Sequence, residues 1–419
     1  MAIRQALRSV VVNTLLLRER WQSGVSYNPL SAEMAQDPYP TYARLRGRDP
    51  VHRSRLMDAW VFSRFADVDA ILRDHRHFSN DPRKRVASRR QASLPRVEEP
   101  SMLFLDPPDH TRLRALVNKA FTPRTVAALE PHIRELMTTL LDAVDDPSAF
   151  DLMQAVAKPL PVIVIAEMLG IPPKDREQFG IWSDQRARIL EPTLTPAERE
   201  TAESAMRALD AYLEPIISER KADPKDDIIS ALAQAEEEGD RLTEREVLVM
   251  LRLLLVAGNE TTTNLIGNGM LALLRHPDQM AALRDDPGLI PSAVEELLRF
   301  DSPVQVDMRS ALADCDVNGF HVRRGDSVVM LLGAANRDPD RFEAPDRLDV
   351  RRGDQNHLAF GRGIHHCLGA PLARLEGRVV LESLIERFPT MRLLDHPPAF
   401  RSSVVLRGLL SLPVAGTPA

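Results

Sequence analysis

The residues best suited to chemistry gather around one cysteine, in the stretch Phe360-Gly361-Arg362-Gly363-Ile364-His365-His366-Cys367-Leu368-Gly369. Two glycines free the backbone to bend, and Leu368 to Val380 carries the apolar spacing of a helix. Cys367 therefore stands where a tight loop feeds a helix N-terminus. Unpaired N–H groups and the positive end of a helix dipole favour thiolate over thiol there, which suits a nucleophile or a metal ligand. The plainer role is that of a small buried hydrophobe. Against it stands the whole pattern: an aromatic seven positions before the cysteine, glycines six and four before, a histidine two before and a glycine two after.

Three further groupings carry potential chemistry. His110 and Arg114 are four residues apart and share one helical face. Ala257-Gly258-Asn259-Glu260-Thr261-Thr262-Thr263 places small residues, an acid and three poor helix formers in sequence, which predicts a weak point in whatever helix holds them. Glu296 and Arg299 are three apart, the spacing of an acid–base pair on one helix face.

Taken together these motifs resemble the cytochrome P450 family, and the resemblance runs over about residues 27 to 415. It implies a mainly α fold with small β-sheets, in which heme b is buried between a long central helix and the loop bearing Cys367. Cys367 is then the thiolate ligand of the iron, with electron donation that favours O–O cleavage, and Phe360 and Gly361 help form its loop. His110, Arg114, Arg309 and His365 match the family's propionate-binding positions, where charge-assisted bonds to carboxylates are needed. Ala257 and Gly258 would let the flat ring approach the helix. Glu260 and Thr261 match the acid–alcohol pair, the threonine holding dioxygen and its waters and the acid passing protons inward. Glu296 and Arg299 match a structural group completed by an arginine after Phe342, where Arg347 stands.

The long helix must position half of this. It opens at Thr243 with Glu246 completing a capping box and runs to Arg275 before Pro277. At 1.5 Å per residue that is roughly 45 to 50 Å. Helices are also predicted over 66–72, 126–144, 154–169, 174–190, 196–221 and 226–238, with strands at 60–62, 316–322, 327–332 and 403–412. Residues 79–100 read as a loop. No repeat or low-complexity linker appears, so residues 27–419 are expected to form one domain behind an extension over 1–26. That extension reads as a short, partly amphipathic helix, docked on the body or touching a membrane surface. Its apolar run falls well short of the ~20 residues that span a bilayer.

Composition narrows the class. With 44% hydrophobic and 27% charged residues in 419 and a net charge of −6, the chain is an ordinary globular protein without the basic excess of a nucleic-acid binder. Two cysteines cannot build a disulfide framework, which points to a reducing cytoplasm. The family resemblance implies a monomeric monooxygenase. It would insert one oxygen atom of O2 into a C–H or C=C bond, drawing electrons from a ferredoxin and its NAD(P)H-dependent reductase, since no flavin or iron–sulfur segment is fused. A peroxide-driven peroxygenase and a non-catalytic heme-thiolate sensor are the alternatives. The substrate is expected to be small and hydrophobic. Five basic residues between Asp81 and Arg90 suggest it could carry a carboxylate, although a charge run is more often a solvated loop.

Overall fold

The computed structural model describes residues 2–84, 100–190, 194–237, 239–395 and 398–418. Helix dominates. Six helices bear on the site: α1 (Ala2–Ser23), α2 (Asp109–Ala120), α3 (Arg176–Ala187), α4 (Glu244–Arg275), α5 (Ile290–Phe300) and α6 (Ala370–Arg387). α4 is the longest at 32 residues, and Thr243 and Glu246 form both bonds of the expected capping box. It is apolar on most of its circumference, as a helix surrounded by others must be. Leu251, Leu255, Leu265, Met270 and Leu273 are all buried, in one cluster with Met153, Val164, Leu213, Val294 and Val380. The helix remains continuous through Thr261-Thr262-Thr263. Propensity predicted weakness there, but Thr262 and Thr263 are buried by neighbours, and packing outweighs a few tenths of a kcal/mol per residue of intrinsic preference.

A five-stranded sheet lies at one side, built from β1 (Val51–Ser54), β2 (Ala59–Phe62), β3 (Phe78–Ser79), β4 (Val306–Ala311) and β5 (Ser327–Leu331) in the order β1-β2-β5-β4-β3. β5 pairs parallel to β2, with Val328 opposite Trp60, and antiparallel to β4, with Val328 opposite Arg309. That register fixes where Arg309 emerges.

Several expected elements differ. The helix predicted over 226–238 spans only Ile228–Gln234, and a short hairpin pairs Glu236–Glu237 with Asp240–Arg241 around Gly239, whose φ of +84° suits a turn and not a helix. The 126–144 helix is two, Pro123–Ala127 and Glu130–Asp142, the second opening with Pro131 in its first turn. The strand expected over 403–412 shrinks to Leu409–Ser411. Val404 and Leu406 are buried as a strand's alternation would have them, but the backbone there bonds other loops: Gln305 N–H donates to Val405 C=O at 2.8 Å and Arg407 N–H to Pro303 C=O at 2.8 Å. This leaves 401–407 as an ordered loop beside α4.

Candidate functional site

The cysteine loop is held by its glycines. Gly361 and Gly363 have φ of +67° and +68°, and a Cβ on Gly363 would stand 2.5 Å from the Leu72 carbonyl oxygen. Only glycine satisfies both constraints at 363. Cys367 N–H donates to Phe360 C=O at 2.9 Å, closing the loop, and the N–H groups of Gly369 and Ala370 at the start of α6 point at the sulfur. The sequence argument expected this setting to favour the thiolate. Burial dominates instead and pushes the Cys367 thiol up; the two N–H groups with Arg114 and Arg374 pull the other way without prevailing. Cys367 nevertheless keeps accessible surface, so it is not packed as a small core hydrophobe.

The loop is braced from α5, more heavily than the sequence suggested. Glu295 takes Arg374 at 2.6 Å and His357 at 3.1 Å, tying together residues on either side of Cys367. The Arg374 guanidinium also lies 4.6 Å from the Phe360 ring centroid. Glu296 pairs with Arg299 at 2.7 Å as expected, but the third member is Arg352, at 3.1 Å, and not Arg347. Arg347 contributes only its carbonyl, 3.4 Å from an Arg299 amine. Three arginines follow Phe342 in this loop, Arg347, Arg351 and Arg352, and the third is the one that reaches the buried acid.

The four candidate anion-binding residues come together from α2, β4 and the cysteine loop. The rings of His110 and His365 are 4.4 Å apart between centroids. Both His110 nitrogens are buried without a hydrogen-bond partner. His365 is held down to about 3 by burial and by the nearby Arg309 and His110, and His110 is lowered by burial and by Arg114, so both rings are neutral at pH 7. Arg309 is buried, pinned to Asp307 at 2.6 Å and to Asn80 at 3.1 Å. Arg114 is half-buried and has no carboxylate partner among the described residues; its charge is felt by Cys367.

On α4, Leu253, Ala257 and Thr261 follow i, i+4, i+8 and retain accessible surface, while Asn259, Glu260, Thr262 and Thr263 are buried. The Thr261 hydroxyl donates to the Ala257 carbonyl at 2.6 Å. Glu260 is raised by burial, and Arg401 opposes that shift from an ion pair at 2.6 Å. Asp184 of α3 lies close enough to raise Glu260 further, is itself raised by burial, and accepts from Asn259 at 3.4 Å. Sequence reasoning missed Arg401 and Asp184, since nothing in their local patterns marks them; contacts across 141 and 75 positions do.

It also missed Glu376. This acid sits on α6 nine residues after the cysteine, fully enclosed and bonded to Thr262, and burial raises it to about 8. One of its oxygens has no partner. Its place between Leu372 and Val379–Val380, on the apolar side of the predicted helix, was the available signal.

Of the basic residues between Asp81 and Arg90, Arg83 is paired with Asp81 at 2.7 Å and Lys84 with Asp106 at 2.9 Å. Arg85, Arg89 and Arg90 lie outside the described residues.

Comparison with known proteins agrees with this geometry. The family model described as "Cytochrome P450" matches residues 56–287 and 288–409. The polyketide biosynthesis cytochrome P450 PksS of Bacillus subtilis is 42% identical over 404 residues, covering 93% of this chain and 98% of that protein. The vitamin D(3) 25-hydroxylase of Pseudonocardia autotrophica is 44% identical over 390 residues, covering 91% and 94%. The solved structure of the cytochrome P450 CYP109Q5 from Chondromyces apiculatus superposes with a TM-score of 0.85 at 40% identity, covering 94% of this chain and 98% of that one. The chain belongs to the cytochrome P450 family, and is a heme-dependent monooxygenase.

The residues present fit heme. A dianionic group with an apolar ring needs donors at one edge and a thin wall on one face. The His110 nitrogens and Arg114, which has no carboxylate partner among the described residues, supply the first, and Ala257 with Gly258 the second.

Proposed function

We propose that this protein inserts one oxygen atom of O2 into a C–H or C=C bond of a bulky, mostly apolar molecule, with electrons delivered singly by a separate ferredoxin and its reductase. The observation that carries the reading is the pairing of a glycine-pinned Cys367 with the acid and alcohol at Glu260 and Thr261 on the facing helix. Cys367 would hold the heme iron, and His110, Arg114, Arg309 and His365 would hold its propionates. Heme, when bound, supplies dioxygen activation and oxygen transfer.

The chain's own residues then act on protons and position. Burial raises Glu260, which makes the carboxyl a better proton acceptor, and Arg401 opposes that shift. Arg401 is itself a quarter exposed, so it lies between solvent and the buried acid. Thr261 offers its hydroxyl at the accessible face of α4, where it can exchange its bond to Ala257 for one to a water. Glu260 and Thr261 are consecutive on α4, so their side chains diverge by about 100° and waters would carry the proton from the acid to the alcohol.

Hydrophobic substrates are supported by the names of relatives, which include a vitamin D(3) hydroxylase and a 6-deoxyerythronolide B hydroxylase. The ferredoxin face would surround Cys367. Of the cations proposed for that face, Arg352 is bound to Glu296 and Arg112 to Glu246 and Asp240. Arg362 has longer contacts, to Asp69 at 3.6 Å and Asn356 at 3.4 Å, and is the first candidate contact, with Lys119, which donates to the Glu236 carbonyl, as the second. The deciding experiment reconstitutes the purified protein with a ferredoxin, its reductase and NAD(P)H, and separately with hydrogen peroxide alone. Oxygenated product only with the redox pair is expected; product from peroxide at equal rate would replace this reading with a peroxygenase.

A further inference from the structure

The N-terminal helix presents a face that nothing in the described fold covers. On α1, Val10, Val11, Leu17 and Trp21 are 61%, 52%, 66% and 87% exposed, an unusual concentration when most large apolar side chains of the molecule are buried. Val10, Thr14, Leu17 and Trp21 are spaced 4, 3 and 4 residues apart, so at about 100° per residue they form one narrow stripe. The opposite side is firmly docked. Glu19, 1% exposed, accepts from Arg55 N–H at 2.6 Å on Oε1 and from Tyr27 N–H at 3.0 Å on Oε2, and Oε2 also lies 3.3 Å from Nε2 of His52. This anchor holds the stripe outward.

We propose that the α1 stripe is a docking surface for an anionic lipid bilayer, on which the helix lies flat. The charge pattern selects that occupant. Arg18 and Arg20 are exposed and lie about 80° to either side of the stripe, while Glu19, the one acid of the helix, is turned inward and paired. A second copy of the helix would set these arginines against each other, since positions flanking an apolar seam face their counterparts across it. Phosphate headgroups would neutralise them, with the apolar stripe entering the acyl boundary and Trp21 at the interface. No helix among the described residues is long and apolar enough to cross a membrane, so the contact is peripheral. Tyr27, which is tied to the same anchor, also lines a cleft with Met34, Arg401 and Val404, the last two on the loop whose Arg401 pairs with Glu260. A substrate dissolved in the bilayer would thus be met at that side of the enzyme.

The test is co-sedimentation of the heme-loaded protein with vesicles of phosphatidylcholine alone and of phosphatidylcholine with phosphatidylglycerol. Binding is expected only to the anionic vesicles and is expected to weaken with salt. Removing both arginines (Arg18→Gln, Arg20→Gln) should lower affinity about 25-fold, at about fivefold per basic residue. Removing the wedge (Leu17→Ser, Trp21→Ser) should lower it by more than tenfold. Both variants should keep the wild-type carbon-monoxide spectrum, because neither touches the body. Absence of binding, equal binding to both vesicle types, or full binding by either variant overturns the proposal. So does a dimer in sedimentation velocity that the wedge variant dissociates without any vesicle binding, which would make a second copy the occupant.

Discussion

Arg401 places a guanidinium nitrogen 2.6 Å from an oxygen of Glu260, joining the loop after residue 400 to the middle of α4. Burial raises Glu260, and Arg401 is the principal opposing influence. Arg401→Gln should therefore move the Glu260 inflection in the pH–rate profile upward, because the charged form loses its partner. Glu260→Gln should abolish that inflection and slow turnover by on the order of 100-fold, the usual worth of a positioned acid–base group. If the profile of Arg401→Gln overlays the wild type, the pair is structural only.

Thr261→Ala should separate oxygen consumption from product. The hydroxyl that bonds Ala257 C=O is the only polar group Thr261 offers to the accessible face. Substrate binding, read from the heme absorption shift, should be unchanged. Hydrogen peroxide released per NAD(P)H oxidised should rise several-fold at the expense of product. Unaltered coupling would remove Thr261 from the proton path.

Cys367→His tests the ligand directly. An imidazole in place of the sulfur should still retain some heme but lose the red-shifted carbon-monoxide band of thiolate ligation. Retention of that band would mean the sulfur is not on the iron. Gly363→Ala is the companion on the loop's shape. It combines a left-handed φ with a Cβ 2.5 Å from the Leu72 carbonyl oxygen, so heme retention and melting temperature should both fall, while Gly319→Ala, which has a positive φ but open space, should cost only the backbone strain of about 1–2 kcal/mol and leave heme retention unchanged.

How much of this was legible in the sequence depended on whether the cause was local. The α4 capping box needs only Thr243 and Glu246, three positions apart, and it was readable. So were the bend at the glycines before Cys367 and the placing of His110 and Arg114 on one helix. The choice of Arg352 over Arg347 was not, because both are arginines in one loop and only the folded path decides which reaches Glu296. The 403–412 strand failed for a related reason. Alternating burial at Val404 and Leu406 does mark a two-faced segment, but it does not say whether the backbone partners form a ladder or separate loops. The thiol of Cys367 shows the same limit in electrostatics, since a helix N-terminus can be seen in a sequence and the burial that outweighs it cannot.

Glu376 gives a prediction in stability. Folding encloses this acid completely and raises it to about 8, with the Thr262 bond opposing only part of the burial effect. The unfolded chain holds the same carboxyl near its ordinary value of about 4.3. Below that value both states are protonated, and the stability linked to the raised value is present in full. As pH rises from about 4.3 to 8 the unfolded state releases its proton and the folded state does not, so stability falls by up to about 1.4 kcal/mol for each pH unit crossed. Above 8 both states are ionised and the loss levels off. Glu376→Gln keeps the shape and the Thr262 contact but has no proton to lose. Denaturant midpoints of the two proteins should therefore converge near pH 5 and separate toward pH 8, with the glutamine variant gaining as pH rises. A constant difference across that range would show that Glu376 is ionised in the folded protein and that a partner beyond Thr262 holds its charge.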